Sequence, residues 1–261
     1  MTYRIRFSGT AGMLAAALLW LAGLPAAAEM HATEEFEAGT TRPAAIALLP
    51  AHVGLVKQRM IRREAEVEEA GELEGHLTAA VAAGLEAKGY DVHVVTAAQI
   101  NADPELQTLV VEADRRFDEL LQNVSVRLRK QIETRRYHAG DTLTVLADKL
   151  GVDAIAFARM QVIASAKGVQ IVNMGMAGSQ VMMSVSLVDG QTTDIEAYVT
   201  LPIMRRGKAF GGYESIMKDP DVEMARFAEA TLNDLLAADP SLRAERSDED
   251  VLADIESLLG E

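Results

Sequence analysis

The chain has 261 residues, close to half of them hydrophobic and a quarter charged, with 39 Asp and Glu against 25 Lys and Arg and a formal net charge of −14. So acidic a surface repels phosphate backbones, which excludes nucleic acid as a partner and leaves room for partners that carry basic patches. The absence of cysteine excludes disulfides, thiolate metal sites and the acylated cysteine of a lipoprotein.

Arg4 and Arg6 precede an apolar run from Met13 to Leu24, and Pro25-Ala-Ala-Ala28 places small residues where a signal peptidase reads them. This is the pattern of a secretory signal cleaved after Ala28, and the run is shorter than the roughly 20 residues needed to span a bilayer. The expected product is a soluble periplasmic protein with no transmembrane segment after cleavage. Residues 29–42 are acidic and without periodicity, and are expected to form a flexible leader. Ala44-Ala-Ile-Ala-Leu-Leu-Pro50 reads as the first, buried strand. A helix is expected from about Ile61 to Lys88, with Leu73, Leu77, Val81 and Leu85 as its apolar stripe and a charged, solvated first half. Gly89 ends it, and Tyr90 to Val95 is the second strand.

Pro104 to Arg136 carries Leu106, Val110, Ala113, Phe117, Leu120, Val124, Leu128 and Ile132 at alternating steps of three and four. That spacing predicts a long helical insertion laid against the domain, or, on a sharper reading, a coiled coil that would make the protein a homo-oligomer. Next, Asp141 is placed to cap a short helix whose face is Leu143, Leu146, Ala147 and Leu150, and Gly151 closes it in the left-handed conformation. In the strand Val152 to Ile163, Ile155, Phe157 and Arg159 alternate with Ala154, Ala156, Ala158 and Met160; the small residues would let a helix pack closely. Gln180 to Val188 and Thr193 to Leu201 are expected to form a hairpin turned at Asp189-Gly190. Val222 to Ala238 supplies a closing helix, stopped by Asp239-Pro240, and 239–261 is an acidic tail with a capped amphipathic segment from Ser247 to Leu259.

The order β-α-β-α-α-β-β-β-α is that of an α/β domain over residues 43–238, a mixed sheet with helices packed on it. Leu150-Gly-Val-Asp-Ala-Ile-Ala156, followed by Ser186-Leu-Val-Asp-Gly-Gln-Thr-Thr-Asp-Ile195, resembles the pattern of bacterial envelope proteins that share the fold of the amino-terminal domain of TolB, the lipoprotein activators of penicillin-binding proteins and the curli secretion channel (CsgG-like) family. The resemblance spans roughly Pro43 to Ala238. It departs from the pattern where Gln191-Thr-Thr-Asp194 replaces the usual Thr-Gly, and in having no lipid-bearing cysteine.

Motifs for chemistry are missing from the sequence. Ser179 lacks the second glycine of a nucleophile elbow, and His31, His52, His76, His93 and His138 show no metal-ligand spacing. No phosphate-binding loop is present, and Asp141, Asp153 and Asp189 read as a cap, the start of a strand and a turn former. No metal, no cofactor and no catalytic residues are therefore assigned. Two connections stand out instead. Ser165 to Gly178 is apolar for a loop, with Met174 and Met176 offering adaptable contact, though too short for two membrane-spanning strands of about 9 to 11 residues each. Arg205-Arg-Gly-Lys-Ala-Phe-Gly-Gly-Tyr213 is a basic, aromatic island in an acidic protein, with Arg205, Arg206, Lys208, Phe210 and Tyr213 as candidate contacts. In the tail, Val251, Ile255 and Leu258 would anchor in a partner's groove. The reading is a non-enzymatic periplasmic interaction or regulatory domain of a cell-envelope assembly, with an envelope protein as partner; the alternative is a soluble subunit of an export or pore-forming complex.

Overall fold

In the computed structural model the described residues are 28–58, 63–65, 67–124, 132, 138–165, 180–204 and 213–239. Along the chain they form β1 (Glu29–Ala32), α1 (Glu34–Ala38), β2 (Ala45–Leu48), β3 (His52–Gln58), β4 (Arg63–Ala65), α2 (Val67–Ala87), β5 (Asp91–Val94), α3 (Ala97–Ala102), α4 (Pro104–Val124), α5 (Thr142–Leu150), β6 (Ala154–Ser165), β7 (Gln180–Asp189), β8 (Ile195–Met204), α6 (Tyr213–Lys218) and α7 (Pro220–Leu232). The architecture is α/β, a mixed sheet with helices packed on it, as expected.

The sheet is built around β6. One flank pairs with β7 from Ala154 to Ile163, antiparallel, and the order continues through β8 to β1. The other flank is shared: Ala154–Ala156 run parallel to Ile46–Leu48 of β2, and Arg159–Ser165 run parallel to His52–Gln58 of β3. Leu49-Pro50-Ala51 interrupts what would otherwise be one strand. Pro50 has no N–H to give a ladder, and the Ala51 N–H donates instead to the Thr78 hydroxyl of α2 at 2.9 Å. Outside this broken strand, β5 pairs with β2 in parallel and β4 with β3 in antiparallel fashion.

The alternation in β6 separates two cores. Ala156, Ala158 and Met160 face α2 and α7, where Leu73, Leu77, Val81, Leu85, Met224, Phe227 and Leu232 are buried. Ile155 and Phe157 face α4 and α5, with Leu106, Val110, Phe117, Leu143 and Leu146. The Phe117 and Phe157 rings stack at 4.1 Å with 7° between their planes, and both are fully buried. Burial of each such ring stabilises by roughly 1.5–3 kcal/mol. The stripe of α4 is thus spent on its own domain rather than on a coiled-coil seam; its continuation beyond Val124 lies outside the described residues, apart from buried Ile132.

Several expectations are corrected. Residues 29–42 are not a loose leader: β1 pairs in register with Ala197–Thr200 of β8, Thr33 caps α1 through its hydroxyl, and Phe36 is fully buried. That order is tertiary in origin, from a free strand edge and a pocket for one ring. The helix expected from Ile61 begins at Val67, because Arg63–Ala65 form β4 against β3. Asp141 has helical backbone angles and makes no side-chain cap. The β7–β8 hairpin forms, and within its turn Thr193 takes positive φ, at 58°. Gly151 does close α5 as expected, at φ 67° and ψ 40°.

Candidate functional site

Register brings five strand termini to one end of the sheet. Ile163 pairs with Gln180 and Gln180 with Met204, while Ser165 pairs with Gln58 and Gln58 with Arg63. Three connections leave this end: 59–62, 166–179 and 205–212. They lie outside the described residues, and with them Met174, Met176, Arg205, Arg206, Lys208 and Phe210; Tyr213 opens α6, and Val251, Ile255 and Leu258 of the tail are also outside. In sequence, the three connections hold six basic residues (Arg59, Arg62, Lys167, Arg205, Arg206 and Lys208) and no carboxylate, against a chain of net charge −14. Arg59-Met-Ile-Arg62 does not stand out in the sequence, where it leads into the helix expected from Ile61. Its signal was the same one: basic and apolar residues with no acid among them.

Beside this end, the second face of the sheet opens to solvent. Gly54, Gln161 and Met182 share one row across β3, β6 and β7, and all three are exposed, Met182 by 47% although it lies on an interior strand. On the first face the neighbouring Met160, Val162, Val181 and Met183 are buried. The central strands therefore run past the helices that cover the second face.

A charge cluster borders the open part. Arg159 on β6 donates from Nη2 to Asp114 Oδ1 at 2.8 Å and from Nε to Asp118 Oδ1 at 3.0 Å, both on α4. Its guanidinium also lies 5.5 Å and 5.6 Å from the ring centroids of Phe117 and Phe157. His52, paired with Arg159 in the β3–β6 register, approaches Asp114 Oδ2 at 3.1 Å and Glu74 Oε1 of α2 at 3.6 Å. Burial would raise the Asp114 pKa, but the hydrogen bond from His52 and the Arg159 charge outweigh it and hold the carboxyl below its ordinary value. The hydrogen bond to Asp114 raises His52 in turn, against opposing effects of burial and Arg159.

A cavity of about 310 Å³ lies near the opposite end of β6, lined by Thr41, Arg42, Asp153, Leu187, Asp189 and Glu196 among others. Its polar groups serve the fold. Asp153 accepts from the Ala44 and Ala45 amides, Asp189 from those of Gln191 and Thr192, and Glu196 from the Thr33 and Thr41 hydroxyls. Arg42 donates to the carbonyls of Phe36, Glu37 and Ala237. Among the described residues, no three metal-ligating side chains are grouped, and no helix is long and apolar enough to cross a membrane.

No family model matches the sequence, and no curated protein matches it. Among solved structures, the chain is similar to a PelC dodecamer from Paraburkholderia phytofirmans, at 10% identity and a TM-score of 0.37, over 78% of this chain and 95% of that one. It is also similar to the LpoB C-terminal domain from Salmonella enterica, at 10% identity and a TM-score of 0.25, over 74% of this chain and 94% of that one.

Proposed function

We propose that the chain is a non-enzymatic protein-interaction and regulatory domain of a cell-envelope assembly, working in the periplasm and docking through the end of the sheet where 59–62, 166–179 and 205–212 emerge. The observation that carries this reading is the meeting, at one end of the sheet, of the strand ends from which those connections leave. Two of them were singled out independently by composition, and strand register brings their flanking residues together. Methionines give adaptable apolar contact, and six basic residues without a carboxylate give a charge opposite to the rest of the chain. Such an end suits an acidic patch on a partner, with exposed Met182 and Gln161 extending the contact onto the sheet. The amino-terminal signal pattern supplies the address.

A photo-crosslinking residue at Met174, Phe210 or Met182, with Val145 on α5 as an exposed control, tests the docking end directly. The expected result is one envelope protein crosslinked from the first three positions and not from the control. That crosslink should disappear in Arg205→Glu/Arg206→Glu/Lys208→Glu and weaken as salt rises. Equal crosslinking from Val145, or insensitivity to the charge reversal, would overturn the assignment of this end.

A further inference from the structure

His52 stands where the chain breaks between β2 and β3, and the break is fastened on both sides. Toward the first face, the Ala51 N–H donates to Thr78 and the Val53 N–H to Glu74 Oε1 at 3.3 Å, both on α2. Toward the second face, His52 Nε2 meets Asp114 Oδ2 of α4 at 3.1 Å, while Nδ1 faces Glu74 Oε1 at 3.6 Å. Ionised carboxylates only accept hydrogen bonds, and a neutral imidazole donates from one nitrogen alone. In a neutral ring, therefore, one nitrogen turns a lone pair toward a carboxylate; an imidazolium donates toward both. The surrounding charges point the same way. Among the described residues, Glu74 of α2 and Asp114 and Asp118 of α4 are three carboxylates balanced by one cation, Arg159 of β6. A proton on His52 supplies the second cation.

We propose that His52 is a pH-operated clip between the two helical layers: as an imidazolium it joins α2 to α4 across the broken strand, and on losing its proton it lets go of one of them. The hydrogen bond to Asp114, which raises the ring's pKa above 6.5, favours the clipped form. Because the folded value is the raised one, the stabilisation is complete below the unfolded value of about 6.5 and is lost as pH rises through the folded value. This runs opposite to the acid destabilisation expected where carboxylates alone are paired. It also places the change at α4, which carries Asp114 and Asp118 and covers the second core.

The test uses the full chain, by NMR titration of the His52 ring and by denaturation of wild type and His52→Gln at about pH 5.5 and about pH 8. The ring is half exposed, so the substitution removes the charge without opening the core. The His52 midpoint should lie above the ordinary imidazole value and fall in both Asp114→Asn and Glu74→Gln. Wild type should exceed His52→Gln in folding equilibrium constant several-fold more at the acidic pH than at the alkaline one. A midpoint at or below the ordinary value overturns the proposal, as does a wild-type advantage that is the same at both pH values.

Discussion

Replacing Gly190 by alanine tests how tightly the β7–β8 hairpin is seated. An added Cβ would come within 2.6 Å of the Ala147 Cβ on α5 and 2.8 Å of the Asp153 carbonyl oxygen. Neither is the far end of a flexible side chain: Ala147 is fully buried in a helix, and the Asp153 carbonyl accepts the Gly190 N–H at 2.8 Å. Relief requires the turn to lift, stretching that hydrogen bond, or α5 to move off the sheet and loosen Leu143 and Leu146. Overpacking against a fixed neighbour typically costs 1–3 kcal/mol, and backbone at this distance argues for about 2 kcal/mol or more. For a domain of this size that corresponds to a fall in melting temperature of about 4–8 °C. Chemical denaturation of Gly190→Ala, Ala147→Gly and the double variant forms a cycle in which the double variant should be less destabilised than the sum of the singles. A single variant within about 0.5 kcal/mol of wild type would refute the argument, since it would mean the turn accommodates a methyl group freely.

Gly151→Val should cost about 1–2 kcal/mol with no steric clash to blame, because the site is open around the Cβ position yet has φ of 67°; an unchanged denaturation midpoint contradicts it. Burial pushes the Tyr90 phenol up to about 12, and its hydroxyl donates to the Leu236 carbonyl at 2.7 Å. With the folded value raised, stability held by the neutral phenol should persist below the unfolded value of about 10 and be lost as pH climbs through the folded one. Tyr90→Phe should lose about 1 kcal/mol at neutral pH and show none of that alkaline loss in a pH series of melts. Asp114 is held below its ordinary value, so its contribution should be complete above the unfolded value and disappear as acid carries the pH through the folded one. The gap between wild type and Asp114→Asn, about 2 kcal/mol near neutrality, should therefore close in strong acid.

What the sequence made legible was periodic and local. The small-against-large alternation of β6 fixed which residues face which layer, and the three-four stripe of α4 fixed its buried side. Gly151 declared a helix end because the left-handed angle is a property of the residue itself. What stayed hidden depends on partners far along the chain. Nothing in Glu29-Met-His-Ala32 marks a strand until β8 offers its edge, and Phe36 is a lone apolar residue until the core receives it. Strand β3 was obscured by Pro50 before it and by the charged run after it, and β4 was absorbed into that run. The candidate docking end was half legible. Composition singles out two of its connections, but only register shows that their strand ends meet, and that the ends of β3 and β4 flanking Arg59 and Arg62 lie there too.

The pairing of β1 with β8 bears on how the chain folds in time. Glu29–Ala32 find their partners at Ala197–Thr200, and β2 finds β6 more than a hundred residues away. A chain threaded amino terminus first would deliver β1 and β2 long before β6 and β8 arrive, leaving Ile46, Leu48 and Phe36 without their core. Among the described strands, the β6–β7–β8 meander and the small β3–β4 pair are the ones that can assemble from near neighbours. Such dominance of distant pairing slows folding and prolongs the exposure of apolar strands, so the C-terminal meander is the natural nucleus onto which the early segments add last.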